Sequence, residues 1–141
     1  MRKNPGILNG QLSRIVSETG HTDTLVVTDA GLPIPAGVER VDLAYFPSEP
    51  PFLGVLDAVL AEVVIEGATL AEELREASPA MLAQILERLD AAGVVPEFVP
   101  HAEFKARTSG ARAAVRSGEF TPYANVILHA GVAYGPGREQ E

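Results

Sequence analysis

Gly20-His21-Thr22-Asp23-Thr24-Leu25-Val26-Val27-Thr28-Asp29-Ala30-Gly31-Leu32-Pro33-Ile34-Pro35 is the stretch on which the fold turns. Its centre, Thr24–Thr28, is a compact run of β-branched and apolar residues and reads as a strand. A histidine and an acid lead into it. A second acid leaves it and opens a loop over 29–37, where two prolines and two glycines limit the chain's freedom. Upstream, residues 9–19 read as a short helix. Asn9 can cap it, Leu12, Ile15 and Val16 share a face, and Gly20 can end it.

Downstream, the same alternation continues. Residues 41–46 read as a strand, and Pro47, Pro50 and Pro51 then break the chain. Phe52–Leu60 has a helical apolar pattern, 62–66 reads as a strand, and 70–76 as a polar helix. Ser78 can cap the clearest helix, 79–92, whose Leu82, Ile85, Leu86 and Leu89 share one face and which Gly93 closes. A strand over 94–99, interrupted by Pro96, precedes a short helix over 102–107. Strands over 113–116 and 125–132 complete the series. Alternating strands and helices specify an α/β fold, with helices on both faces of a mainly parallel sheet. No linker divides residues 1–134, no repeat or heptad run occurs, and the polar tail 135–141 is expected to be disordered.

Bulk composition removes several classes of function. The chain has 141 residues, 46% of them hydrophobic, enough for one domain with a real core. Its formal charge is −8, and its 11 basic residues are scattered. A nucleic-acid face needs clustered Lys and Arg, and an anionic membrane surface repels net negative charge. There are no cysteines, which excludes disulfides, thiolate catalysis and Cys-zinc sites. This is compatible with a cytoplasmic location, which is the expectation. The basic start, Met1-Arg2-Lys3, leads into no continuous apolar segment. No apolar run is long enough to span a membrane.

Few residues remain that can carry chemistry. An imidazole can give and take protons at physiological pH, which makes His21 a candidate acid or base, although its position also suits a capping or surface histidine. Asp29 directly follows an apolar strand, where ligands of α/β sheets gather. It can hold hydroxyl groups, accept a proton, or simply open an Asx-turn. Asp23 reads as a structural cap. His101 follows Pro100 and is either a second imidazole of a site or a helix-start residue. His129, inside the last strand, reads as a packed or pore-lining residue. In the segment Thr121-Pro122-Tyr123-Ala124-Asn125, Tyr can stack and hydrogen-bond, and Asn offers both donor and acceptor. Pro122 and Asn125 equally suit a turn. The three histidines lack metal-ligand spacing, so no metal is expected. No dinucleotide, phosphate-loop or nucleophile-elbow motif occurs, so no cofactor is expected either.

Taken in order, these segments resemble one family. Gly20-His21-Thr22-Asp23-Thr24, Asp29-Ala30-Gly31-Leu32-Pro33-Ile34-Pro35, Ala71-Glu72-Glu73, Val115-Arg116-Ser117-Gly118-Glu119, Pro122-Tyr123-Ala124-Asn125 and Ala130-Gly131-Val132 all look like the ribose pyranase and fucose mutarotase family, on its ribose side. The likeness covers residues 6–134. It implies a three-layer α/β/α domain and a homodecamer of two pentameric rings. It also implies a sugar-ring isomerase that interconverts pyranose and furanose D-ribose. His21 would be the proton donor, and Asp29, His101, Tyr123, Ala124 and Asn125 would bind the sugar. The fucose mutarotases differ in the Gly31-Leu32-Pro33-Ile34-Pro35 loop and tend to have Arg where His101 sits. His129 and the tail after Tyr134 depart from the family pattern. The alternatives are a mutarotase for another sugar such as L-fucose, or a non-catalytic sugar-binding accessory protein.

One geometric tension follows. His21 and Asp29 are eight residues apart around a strand, an extended path of about 26 Å. Both cannot touch one five-carbon sugar along that path. Either the flanking loops fold back towards each other, or the pocket combines two chains; the ring resemblance favours the second.

Overall fold

A computed structural model describes residues 1–135. The tail expectation therefore lies, from residue 136 onward, outside the described residues. Eleven elements follow in chain order: α1 (Gly10–Glu18), β1 (Thr24–Thr28), β2 (Glu39–Asp42), α2 (Phe52–Leu60), β3 (Ile65–Ala71), α3 (Leu74–Ala77), α4 (Pro79–Ala91), β4 (Glu97–Val99), α5 (His101–Arg107), β5 (Ala113–Arg116) and β6 (Val126–Ala130). The strands form one sheet in the order β2-β5-β1-β6-β3-β4. The pairs β1–β5, β2–β5 and β3–β4 are parallel, and β6 runs antiparallel to both β1 and β3. Five strands thus point one way and β6 alone points back, so the sheet is mainly parallel, as expected.

Strand alternation sends side chains to two cores and makes three layers. Leu25 and Val27 of β1, Ala113 and Val115 of β5 and Val126 and Leu128 of β6 join the larger core with Leu12 and Ile15 of α1, Phe52 and Leu56 of α2 and Ile85 and Leu89 of α4. Val26, Ala114 and Ile127 face the other way and meet Phe104 of α5 together with Leu32 and Val38 of the 29–38 loop. Asn9 caps α1 as expected, its side chain accepting from Leu12 N at 2.8 Å, a contact of about 1 kcal/mol. Gly93 closes α4 with φ of 76°. Ser78 makes no side-chain cap, and Pro79 starts that helix instead.

Four expectations are corrected. The strand read over 41–46 is β2, Glu39–Asp42, because the chain leaves the sheet after Asp42 to form a tight 46–49 turn. The strand read over 62–66 and the helix read over 70–76 are displaced by β3, which runs from Ile65 to Ala71 and leaves only Leu74–Ala77 helical. Leu70 and Ala71 are fully buried, and their register opposite Phe98 and Val99 outweighs the helical propensity of the Ala-Glu-Glu run. The strand read over 94–99 begins only at Glu97, since Pro96 has no N–H to offer the ladder.

Candidate active site

The reversal of β6 decides which residues meet. Parallel strands β1 and β4 end at one edge of the sheet, and β6 begins there. Asp29, the residues before β6 and the residues after β4 therefore converge. Asn125 is fully buried; its side-chain oxygen accepts from Asp29 N at 2.7 Å, and its Nδ2 lies 3.4 Å from Asp29 Oδ2. The His101 ring meets the Tyr123 ring edge-on, centroids 4.9 Å apart, and stacks more distantly on Phe104 at 6.2 Å.

Asp29 performs both tasks that its position allows. Its Oδ1 accepts from Gly31 N and Leu32 N at 3.0 and 2.8 Å, the Asx-turn that heads the loop. That leaves Oδ2 beside the Asn125 amide for other work. His101 begins α5, and its backbone N–H donates to both carboxylate oxygens of Glu73, at 3.0 and 3.1 Å. Its Nδ1 is buried without a hydrogen-bond partner. A buried polar nitrogen left unpaired is costly, and a ligand hydroxyl would satisfy it. Tyr123 has φ of 64°, a left-handed conformation that is strained for a bulky residue and concentrates at functional sites. Ala124 is different: its methyl is buried in the larger core and its N–H donates to Thr121 O at 3.3 Å. Its side chain sets the spacing between Tyr123 and Asn125 and faces no open pocket.

His21 stands at the opposite edge. The turn Gly20-His21-Thr22-Asp23 is tied down by Asp23, whose carboxylate accepts from Gly20 N and from Arg112 Nε, both at 2.8 Å. Those two contacts, the Gly20 N–H first, hold the Asp23 carboxyl below the usual carboxylate range. Thr22 N donates to Ala130 O and Ala130 N to Asp23 O, fixing the turn to the end of β6. His21 itself is half exposed beside an open depression of about 350 Å³ lined by Gly20, Val64, Val132 and Tyr134. Its Nε2 lies 3.0 Å from Glu66 Oε2. The five residues of β1, spanning roughly 16 Å, separate His21 from Asp29. The flanking loops do not fold back to close that gap.

His129 is half-buried and lines an open depression with Glu66, Gly67 and Glu97. Its Nε2 lies 3.0 Å from the Thr69 hydroxyl, on the α5 face of the sheet. Sequence reasoning missed the supporting acids. Glu73 lies in the Ala71-Glu72-Glu73 motif, so a signal was present; Glu66 had none. Among the described residues, no group of three or more His, Asp or Glu side chains could hold a metal ion. Among them, too, no helix is long and apolar enough to cross a membrane.

Known proteins are similar to this chain over most of its length. The chain is 51% identical over 134 residues to the D-ribose pyranase of Laribacter hongkongensis, covering 95% of this chain and 100% of that one. It is 48% identical over 132 residues to the D-ribose pyranase of Geobacillus kaustophilus, covering 94% and 96% respectively. The structure of Bacillus subtilis RbsD complexed with D-ribose superposes with a TM-score of 0.89 at 38% identity, covering 94% of this chain and all of that one. The fucose mutarotase of Streptococcus pneumoniae in complex with L-fucose gives 0.79 at 22% identity, over 95% of this chain and all of that one, a likeness of fold alone. Residues 1–133 match the family described as the RbsD / FucU transport proteins, and the chain belongs to that family.

Proposed function

We propose that this protein interconverts the pyranose and furanose forms of D-ribose, with exchange of anomers. The observation that carries the reading is the unpartnered Nδ1 of His101, set beside Tyr123 at the edge where Asp29 and Asn125 are joined. A carboxylate oxygen, an amide, an imidazole and an aromatic ring suit a small polyhydroxylated ligand. The relatives named D-ribose pyranase select ribose as that ligand.

The reaction opens and recloses a hemiacetal. A proton goes to the ring oxygen, and the bond from that oxygen to the anomeric carbon breaks, its electron pair staying on oxygen. The anomeric hydroxyl loses its proton and becomes the aldehyde carbonyl. Closure by the 4-hydroxyl forms the new carbon–oxygen bond, releases that hydroxyl's proton and returns a proton to the carbonyl oxygen. Protons balance, no electrons leave, and no cofactor is consumed. In this scheme His21 of a neighbouring subunit delivers and recovers the ring-oxygen proton. Asp29 Oδ2 takes the anomeric proton, while His101, Tyr123 and Asn125 hold the sugar. Two half-sites at opposite edges of each chain favour a head-to-tail ring, which suits the homodecamer of two pentameric rings. The cysteine-free sequence suits a cytoplasmic setting.

Saturation-transfer NMR on equilibrated ribose tests the reading. Catalytic amounts of protein should speed exchange between pyranose and furanose signals, and ribose should outpace L-fucose. Broadening without faster exchange would mark a binder, and faster exchange of fucose alone a mutarotase of another sugar. Substituting His101→Arg should raise the apparent KM for ribose by roughly tenfold or more, since it fills the pocket and removes the orphan acceptor, while thermal stability stays close to wild type. An unchanged KM would remove His101 from substrate selection.

A further inference from the structure

The His21 imidazole has two nitrogens, and the structure distinguishes them. Nε2 lies 3.2 and 3.0 Å from the two carboxylate oxygens of Glu66. Nδ1 makes no hydrogen bond to any described residue. An ionised carboxylate only accepts, so Nε2 must carry the hydrogen and Nδ1 is the nitrogen left to react. Glu66 reaches this position through a fault in the ladder. The pairing of β3 with β6 shifts between Ile65 and Gly67, leaving Glu66 as the extra residue of a bulge. Bulges re-aim a side chain, and this one turns Glu66 towards the His21 turn. Gly131 lies close by, where a Cβ would make an ordinary van der Waals contact with the Glu66 Cβ at 3.4 Å. Both members of the pair are half exposed, and ion pairs in that setting contribute little to stability. The contact is therefore poorly explained as a fold-holding bridge.

We propose that Glu66 is a positioning residue for the ring-opening reaction: it pins Nε2 of His21, so that Nδ1 faces the sugar. This deepens the ribose-isomerase reading and rests on it. In the neutral ring, pinned Nε2–H leaves Nδ1 as a bare acceptor, the form needed to take a proton when the new ring closes. In the protonated ring, Nδ1–H is the donor to the ring oxygen when the old one opens. The same nitrogen then serves both directions, and the imidazole need not rotate between them. Without Glu66, the Nδ1–H tautomer and other ring orientations become accessible, and a share of encounters meet the wrong nitrogen. In this role Glu66 acts through His21 and not on the sugar, so sugar affinity should be indifferent to it.

The test compares Glu66→Gln and Glu66→Ala with wild type and with His21→Ala, in assembled protein. Gln keeps the size but can turn either its oxygen or its NH₂ towards Nε2, so it no longer dictates the tautomer. The expected result is a fall in kcat of roughly 10- to 100-fold for both Glu66 variants, with KM within about twofold of wild type. ¹⁵N NMR of His21 should show one dominant Nε2–H tautomer in wild type and a mixture in both variants. Wild-type kcat in the Glu66 variants, with His21→Ala inactive, would overturn the role of Glu66 and leave the isomerase reading standing. A kcat loss with an unchanged His21 tautomer would overturn it too. An active His21→Ala would instead remove both the assigned donor and this proposal.

Discussion

Mixed assemblies of His21→Ala and Tyr123→Ala subunits will regain roughly a quarter of wild-type ribose exchange in an equal mixture, although neither parent works alone. The argument is geometric. His21 is fixed to the end of β6 through Thr22 and Ala130, while Tyr123 and Asn125 lie at its beginning. One chain therefore cannot bring both to a single sugar. If each pocket joins the His21 edge of one subunit to the Asp29 edge of the next, a pocket is intact when both neighbours contribute their unmutated half. Each condition holds half the time. The parents fail for different reasons. His21→Ala loses general acid–base catalysis, on the order of 10²–10⁴-fold. Tyr123→Ala releases the ring held edge-on against His101. Subunits are dissociated, mixed and reassembled, their composition is verified by native mass spectrometry, and exchange is then measured by NMR. A fully active isolated monomer, or verified mixed rings with no recovery, would refute the shared pocket.

Gly118→Ala will lower the melting temperature by about 5–10 °C and loosen the Asp29 edge with it. A Cβ at Gly118 would lie 2.4 Å from Glu49 O and 2.6 Å from Glu49 N. Both are backbone atoms that no rotamer change can move aside. The strand of contacts is continuous: Ser48 N donates to Gly118 O at 2.7 Å, Gly118 N to Pro50 O at 2.8 Å, and Ala30 N to Glu119 O at 2.8 Å. Arg116 Nε donates to Ala30 O at 2.9 Å, while its NH1 pairs with Asp42. Forcing the 46–49 turn outward therefore disturbs Ala30, the neighbour of Asp29. Overpacking of this kind costs about 1–3 kcal/mol, and each kcal/mol moves a domain of this size by about 2–4 °C or slightly more. Gly10→Ala is the control, because nothing lies within 4 Å of its Cβ position. Equal melting temperatures for Gly118→Ala and wild type would show that the turn is free to move.

The fold was legible where short-range pattern and burial agree. β1, α1 and α4 were each readable from a run or a periodic face, and their partners confirmed the pattern. The reading failed where long-range pairing overrode local preference. Ala71-Glu72-Glu73-Leu74 favours a helix, yet pairing with β4 draws Leu70 and Ala71 into a strand. The separation of His21 from Asp29 was legible from strand length alone. That Asp29, His101, Tyr123 and Asn125 share an edge was not, because it depends on the direction of β6. Nor was Glu66, one acid among 19, whose place beside His21 comes from a ladder bulge; Glu73 lay in a quoted motif, but its contact with His101 across 28 residues of sequence was not readable.

The place of β6 also governs how the molecule comes into being. It is the last strand in the described chain, yet it lies third from one edge and fourth from the other. Without it, β2, β5 and β1 would form one ribbon, and β3 and β4 another, with no strand pairing between them. Each ribbon then presents an unsatisfied edge, through Val26 and Val27 on one side and Ala68 and Thr69 on the other. Such edges are the ordinary starting points of aggregation. Loss of β6 pairing should therefore cost solubility as well as stability, because this one strand joins both halves of the sheet.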